Sequence, residues 1–259
     1  SVEYAKGYSK GRKIDEKNPS MSKHYQFEGH LSMTGSNADE RFTHRPSETG
    51  AVAVALLAAV GGSVTAPTIA DAKLAAGIKK VAEDLKAHNG QSLVVCGSND
   101  KNVQVVVNAI NSAIGANGTT IDWSKPVNYR QGIDADMAQL ITEMEAGSVG
   151  TLMVYGANPA YTHPDAEKFK AALKKVRVTV SFNEKMDETT ELCEYILPTH
   201  HYLESWGDAE AKTGVVSFLQ PTIYPLFKTR PYQTSLLKWS GNNSDYETYF
   251  KTYWTGKLG

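Results

Sequence analysis

The chain has 259 residues, 28.2 kDa, with 41% hydrophobic and 21% charged residues, enough for one large domain or two small ones. Lys+Arg 27 against Asp+Glu 28 gives a formal charge of -1, so the whole chain has no electrostatic footprint for nucleic acid or an anionic membrane. No apolar run reaches the roughly 20 residues of a membrane span, and two cysteines, Cys96 and Cys193, are too few for a disulfide scaffold or a four-cysteine iron–sulfur cluster.

The chain opens on SVEYAKGYSKGRK, without a Met or a signal h-region, and reads as a piece of a longer protein. Residues 1–48 are polar, with short β-like pieces such as HYQFEG, and predict an irregular arm. Then the pattern changes. Ser47 is placed to cap a helix over 51–60, within the alanine-rich run AVAVALLAAVGG. Residues 69–90 have apolar side chains at helical spacing and stop at Asn89-Gly90, a C-terminal cap signal. QSLVVCGSND (91–100) predicts a short apolar strand running into Gly97 and Ser98. A helix follows over 101–118, because Val103, Val106, Val107, Ile110 and Ile114 share one face, and DADMAQLITEMEAG predicts another. The cycle repeats with strand TLMVYG (151–156), loop ANPAYTHP, helix DAEKFKAALKKV, strand RVTVSF (177–182) and a shorter strand EYILP. Strands alternating with helices predict an α/β fold, a mainly parallel sheet with helices on both faces. In such sheets ligands sit at the carboxyl ends of the strands. The loops CGSND and YGANPAY stand there, and neither is a GxGxxG or a P-loop. The last residues, rich in Tyr, Trp, Lys and Asn, predict an extended tail. The expected domains are thus an arm over 1–48, an α/β domain over 49–225 and a tail over 226–259.

One stretch concentrates chemistry: ILPTHHYLESWGDAEAKTG (196–214), with His200 and His201 among Glu204, Asp208 and Glu210. Adjacent histidines point to opposite faces of a strand, or about 100° apart on a helix, and cannot converge on one ion as an i, i+4 pair does. Three readings stay open: a metal site, acid–base work by one His with Glu204, or side chains that satisfy backbone groups where the chain leaves the sheet. Asp187 and Glu188 read as solvated or capping. Cys96, at a strand end, and Cys193 read as structural thiols.

Three blocks carry a resemblance: VCGSND…NAINSAIGANGTTID, LMVYGANPAYTHPDAEKFKAALKKV, and VTVSFNEKMDETTELCEYILPTHHYLESWG. Taken in order and spacing, over roughly residues 45–225, the chain resembles the molybdopterin oxidoreductases of the formate dehydrogenase and dimethyl sulfoxide reductase type. RFTHRPSE, MSKHYQFEGHLSMTGSNADE and HYLESWGDAEAKTGVVSFLQPTIYPLF are similar, more narrowly, to the molybdopterin-oxidoreductase-like part of the iron–sulfur subunit of bacterial alternative complex III. The resemblance implies that catalytic relatives hold a molybdopterin guanine dinucleotide. The family positions for that cofactor fall here on Gly156, Asn158, Gly207 and Gly214. Around the last two, relatives place a Thr, an Asn, a Glu and an Arg where this chain has Asp208, Ala211, Thr213 and Val215. Without the guanidinium and the amide, the planar donors that hold a phosphate are lost. The resemblance therefore implies vestigial positions, no catalytic residue, no metal ligand and no cofactor in this segment. It also implies iron–sulfur clusters elsewhere in the parent chain, and a supporting role beside them in a quinol-oxidising electron-transfer complex. The implied partners are that iron–sulfur portion, cytochrome c subunits and integral membrane quinol-oxidising subunits, on the periplasmic side of the cytoplasmic membrane. The alternatives are a fragment of a working molybdenum enzyme supplying part of the cofactor site, and a small-molecule-binding α/β domain using the GSND and GANP loops.

Overall fold

The computed structural model describes residues 2–17, 19–128 and 131–258. They fall into two compact units, 1–124 and 125–259. Both build on α/β units with parallel strands, and the fold is α/β.

The first unit begins with helix α1 (Val2–Arg12), inside the stretch expected to be irregular. Strands β1 (Tyr25–Glu28) and β2 (Glu40–Thr43) follow and pair in parallel, Tyr25 opposite Glu40. Three helices then form the core: α2 (Thr49–Val60), α3 (Ala72–Ala87) and α4 (Lys101–Ala113). The expected Ser47 cap is not what starts α2. Ser47 lies in a 3-10 turn, and the Glu48 carboxylate instead accepts the Arg45 N–H at 2.9 Å. Asp71 and Asp100 cap α3 and α4, each accepting two backbone N–H groups of the first turn. Leu56, Leu57, Leu74, Ile78, Val81, Ile110 and Ile114 interlock as the apolar spacing predicts. Gly77 lets α3 approach β2, since a Cβ there would lie 2.4 Å from the Phe42 ring.

The strand expected in 91–100 forms no ladder. Side-chain amides on α4 occupy its backbone groups instead. The buried Asn111 accepts the Val94 N–H at 2.9 Å and donates to its carbonyl at 2.8 Å, and Gln104 donates to the carbonyls of Cys96 and Ser98. A backbone whose polar groups are met by side chains has no need of a neighbouring strand.

The second unit opens with α5 (Asp134–Glu145) and continues through β3 (Thr151–Val154), the short α6 (Pro159–Thr162), α7 (Ala166–Leu173), β4 (Val178–Ser181) and β5 (Tyr195–Ile196). The strands run parallel in the order β3-β4-β5. Phe169 and Leu173, four residues apart on α7, are 1% and 3% exposed and pack with Ile141 and Met144 of α5. An antiparallel hairpin of β6 (Gly207–Lys212) and β7 (Val215–Leu219) follows, and residues 126–128 pair along its edge. The tail expected to be extended contains helices α8 (Tyr232–Trp239) and α9 (Tyr246–Leu258).

Candidate functional site

The loops leaving β3 and β4 are where a parallel sheet would present a ligand. Here their polar groups bind each other. Asn183, just past β4 and 7% exposed, accepts the Gly156 N–H at 2.8 Å. Its amide nitrogen donates to the Ala157 carbonyl at 2.9 Å, Asp187 Oδ2 at 3.0 Å and Thr190 Oγ1 at 3.2 Å. The Asn158 oxygen accepts both the Thr189 hydroxyl, at 2.7 Å, and the Thr189 N–H, and its nitrogen donates to Glu188 at 2.6 Å. Thr189 Oγ1 accepts the Ala160 N–H, and Ser181 Oγ meets Thr190 Oγ1 at 2.8 Å. Thr189, Thr190 and Ser181 are fully buried, where unmet polar groups would be costly. Asp187 caps the turn at Thr190, and the Asn158 amide lowers the Glu188 carboxyl below its ordinary range. Burial raises the Cys193 thiol, whose Sγ donates to the Thr189 carbonyl.

Aromatic residues of α8 lie over the same strand ends. The Tyr232 ring is 4.1 Å from Tyr155, which follows β3, and 5.8 Å from Phe182, which follows β4. Trp239 is 5.9 Å from Phe182, and the Tyr232 N–H donates to Thr199 Oγ1 at 3.0 Å.

His200 and His201 do different structural jobs. His200 Nδ1 bonds Thr229 Oγ1 at 2.6 Å and lies 3.9 Å from Glu204 Oε2. His201 Nδ1 accepts the Leu203 N–H at 3.3 Å, while its backbone N–H donates to Glu204 at 3.1 Å. The other Glu204 oxygen accepts the Leu226 N–H at 3.1 Å. That bond is the main reason the Glu204 carboxyl lies below its ordinary range; the His201 N–H and the nearby imidazoles add to it. Burial lowers His200, against a smaller opposite pull from Glu204. Glu204, His200 and the Leu203 carbonyl therefore tie residues 222–229 to the segment that follows β5. Among the described residues no three His, Cys, Asp or Glu side chains are grouped to hold a metal ion.

The hairpin carries the other expected positions. Gly214, at φ +80°, makes its turn, and its N–H donates to Glu210 at 2.7 Å. Gly207, the other family position on the hairpin, makes no turn. It opens β6 opposite Leu219, outside the left-handed region, and a Cβ there would only touch Leu219 at 3.7 Å. Asp208, Ala211, Thr213 and Val215 are exposed, and Asp208 accepts the Trp254 indole N–H at 2.7 Å. These four positions offer no cation and no amide to a phosphate-bearing ligand. The Gly156 N–H and one of the two N–H groups of the Asn158 amide are engaged within the protein.

Sequence reasoning passed over Asn183, Thr189, Thr190 and Tyr232. The only available signal was the run of hydroxyl and amide side chains in SFNEKMDETT directly after a strand. The GSND loop lies in the first unit and the GANP loop in the second.

The sequence model of the family described as molybdopterin oxidoreductase matches residues 30–232. The chain is 33% identical over 108 residues to the menaquinone reductase, molybdopterin-binding-like subunit, of Nitratidesulfovibrio vulgaris, covering 40% of this chain and 16% of that protein. It is 26% identical over 108 residues to a subunit of NADH-quinone oxidoreductase from Rhizobium meliloti, covering 42% of this chain and 12% of that protein. The chain thus corresponds to a small part of either relative.

Proposed function

The chain belongs to the molybdopterin oxidoreductase family, and we propose that it is a module that keeps the family's α/β frame without holding the pterin cofactor. In this reading it serves as a scaffold within a multi-subunit, quinone-linked electron-transfer assembly, and redox centres elsewhere in that assembly carry the electrons. The observation that carries the proposal is the donor set at the family's cofactor positions. Asp208, Ala211, Thr213 and Val215 supply no cationic or amide donor, and an Asp would repel a phosphate. The Gly156 N–H bonds Asn183, and one N–H of the Asn158 amide bonds Glu188. Tyr232 and Trp239 lie over the strand ends where a ligand would enter.

The names of both relatives, one from a menaquinone reductase and one from an NADH-quinone oxidoreductase, support assembly with other subunits. No described helix is long and apolar enough to cross a membrane. The proposed family-like domain covers 49–225, and a periplasmic placement belongs to the same proposal.

The test is molybdenum and pterin content of the purified parent protein, with turnover of His201→Ala normalised to assembled complex. Molybdenum far below one atom per chain and nearly unchanged turnover are expected. Stoichiometric molybdenum, or a hundredfold loss of turnover with normal assembly, would favour the active-enzyme reading, since removing a catalytic acid–base group costs on the order of a hundredfold or more.

A further inference from the structure

Between Glu210 and Asp245 the chain has no carboxylate side chain, yet Lys212, Lys228, Arg230 and Lys238 fall within that stretch. The charge of -1 for the whole chain conceals this local excess. In its middle, the segment PTIYPLFKTRP (221–231) exposes Tyr224 at 92%, Leu226 at 72% and Phe227 at 79%, with exposed Lys228 and Arg230 immediately after.

The backbone that carries these side chains is extensively braced. The Leu203 carbonyl accepts the N–H groups of Thr222, at 2.8 Å, and Ile223, at 3.2 Å. Glu204 accepts the Leu226 N–H, and His200 meets the Thr229 hydroxyl. Thr199 accepts the Tyr232 N–H at the loop's exit. Pro221, Pro225 and Pro231 restrict the backbone further. The half-buried residues His200, Leu203 and Glu204 thus work as the base of a pre-organised projection, which reduces the ordering cost of any contact the projection makes.

We infer that this loop docks the protein onto an anionic lipid surface. Tyr224, Leu226 and Phe227 enter the boundary between headgroups and acyl chains, and Lys228 and Arg230 pair with lipid phosphates. The charge argues for the occupant: a basic, acid-free segment is complemented by an anionic surface. The shape argues for lipid over an acidic protein. Side chains that project this far need either a partner with a matching recess or a fluid layer that closes around them, and aromatic side chains favour the interfacial region of a bilayer. The inference concerns this chain's own surface and is independent of the cofactor reading.

The test is co-sedimentation of the full chain with vesicles of phosphatidylcholine alone and of phosphatidylcholine mixed with phosphatidylglycerol, at low and high salt. Binding to the mixed vesicles, weakened by salt, is expected. Lys228→Gln and Arg230→Gln should each weaken it about fivefold. Tyr224→Ser, Leu226→Ser and Phe227→Ser together should weaken it more than about tenfold, because the apolar area they bury is lost. All the variants alter exposed side chains, so unfolding midpoints equal to the parent's serve as the control. Failure to bind mixed vesicles, or binding indifferent to both sets of substitutions, overturns the inference. Retention on immobilised polyglutamate without vesicle binding would overturn it in favour of an acidic protein partner.

Discussion

Replacing Asn183 with Ala removes the side chain that joins the two loops leaving β3 and β4. Its amide offers one acceptor to Gly156 and two N–H bonds shared among Ala157, Asp187 and Thr190. At 7% exposure, water reaches few of these groups once the amide is gone. Each such bond contributes about 0.5–1.5 kcal/mol net, and more where a partner is left buried and unmet. The expected loss is therefore about 2–4 kcal/mol, with a small contribution from the cavity. Urea unfolding measures it, with the slope unchanged if the denatured state is unaffected, and hydrogen exchange at the Gly156 amide gives a local readout. Asn183→Asp should cost at least as much at neutral pH, because it places a second carboxylate against Asp187. A loss below about 0.5 kcal/mol for Asn183→Ala, with Gly156 still protected, would refute the argument that this amide holds the loops together.

Leu173→Ala, at a side chain 3% exposed, should cost about 2–5 kcal/mol in the same unfolding assay, and a change below ~0.5 kcal/mol would place that face in solvent. The two hairpin glycines should separate: Gly214→Val, at φ +80°, should cost on the order of 1–3 kcal/mol, whereas Gly207→Ala should be nearly silent. Equal effects would remove the distinction drawn between turn and strand. Acidification should weaken the brace under residues 222–229. His200 and Glu204 both have folded pKa values below their ordinary 6.5 and 4.5, so the folded state binds fewer protons than the unfolded one. Their stabilisation is complete above those values and is lost as pH falls through the lowered ones. In thermal unfolding across pH, Glu204→Gln should therefore lose less stability than the parent below about pH 4.5. Parallel curves would show that Glu204 is not the group responsible.

Local pattern alone determined much of this protein. Helices at 72–87, 101–113, 134–145 and 166–173 follow from apolar spacing, that at 49–60 follows from its alanine-rich run, and the chain turns at Asn89-Gly90, just past the His88 cap of α3, with Gly90 at φ +74°. The parallel strands at 151–154 and 178–181 follow from apolar runs between helices. Family membership was equally legible, because GANP and DETTELCEYILP are contiguous blocks whose order survives in one dimension. Contacts between distant residues were not. QSLVVC has the composition of a buried strand, and only the fold brings Asn111, seventeen positions away, onto Val94 in place of a neighbouring strand. The polar residues of 1–48 concealed helix α1 and, although HYQFEG reads as β-like, the pairing of β1 with β2, because those strands are stabilised by each other and by packing on α3 rather than by their own composition. HHYLE leaves a metal, an acid–base and a structural reading open in sequence. Tertiary structure supplies the partners, for it and for the preceding Thr199, from 22 to 33 residues downstream: the backbone of Leu226 for Glu204, the Thr229 hydroxyl for His200 and the Tyr232 backbone for Thr199. Secondary structure is encoded in near-neighbour periodicity, whereas the job of a polar side chain is set by whichever unmet donor or acceptor the fold brings within about 3 Å of it.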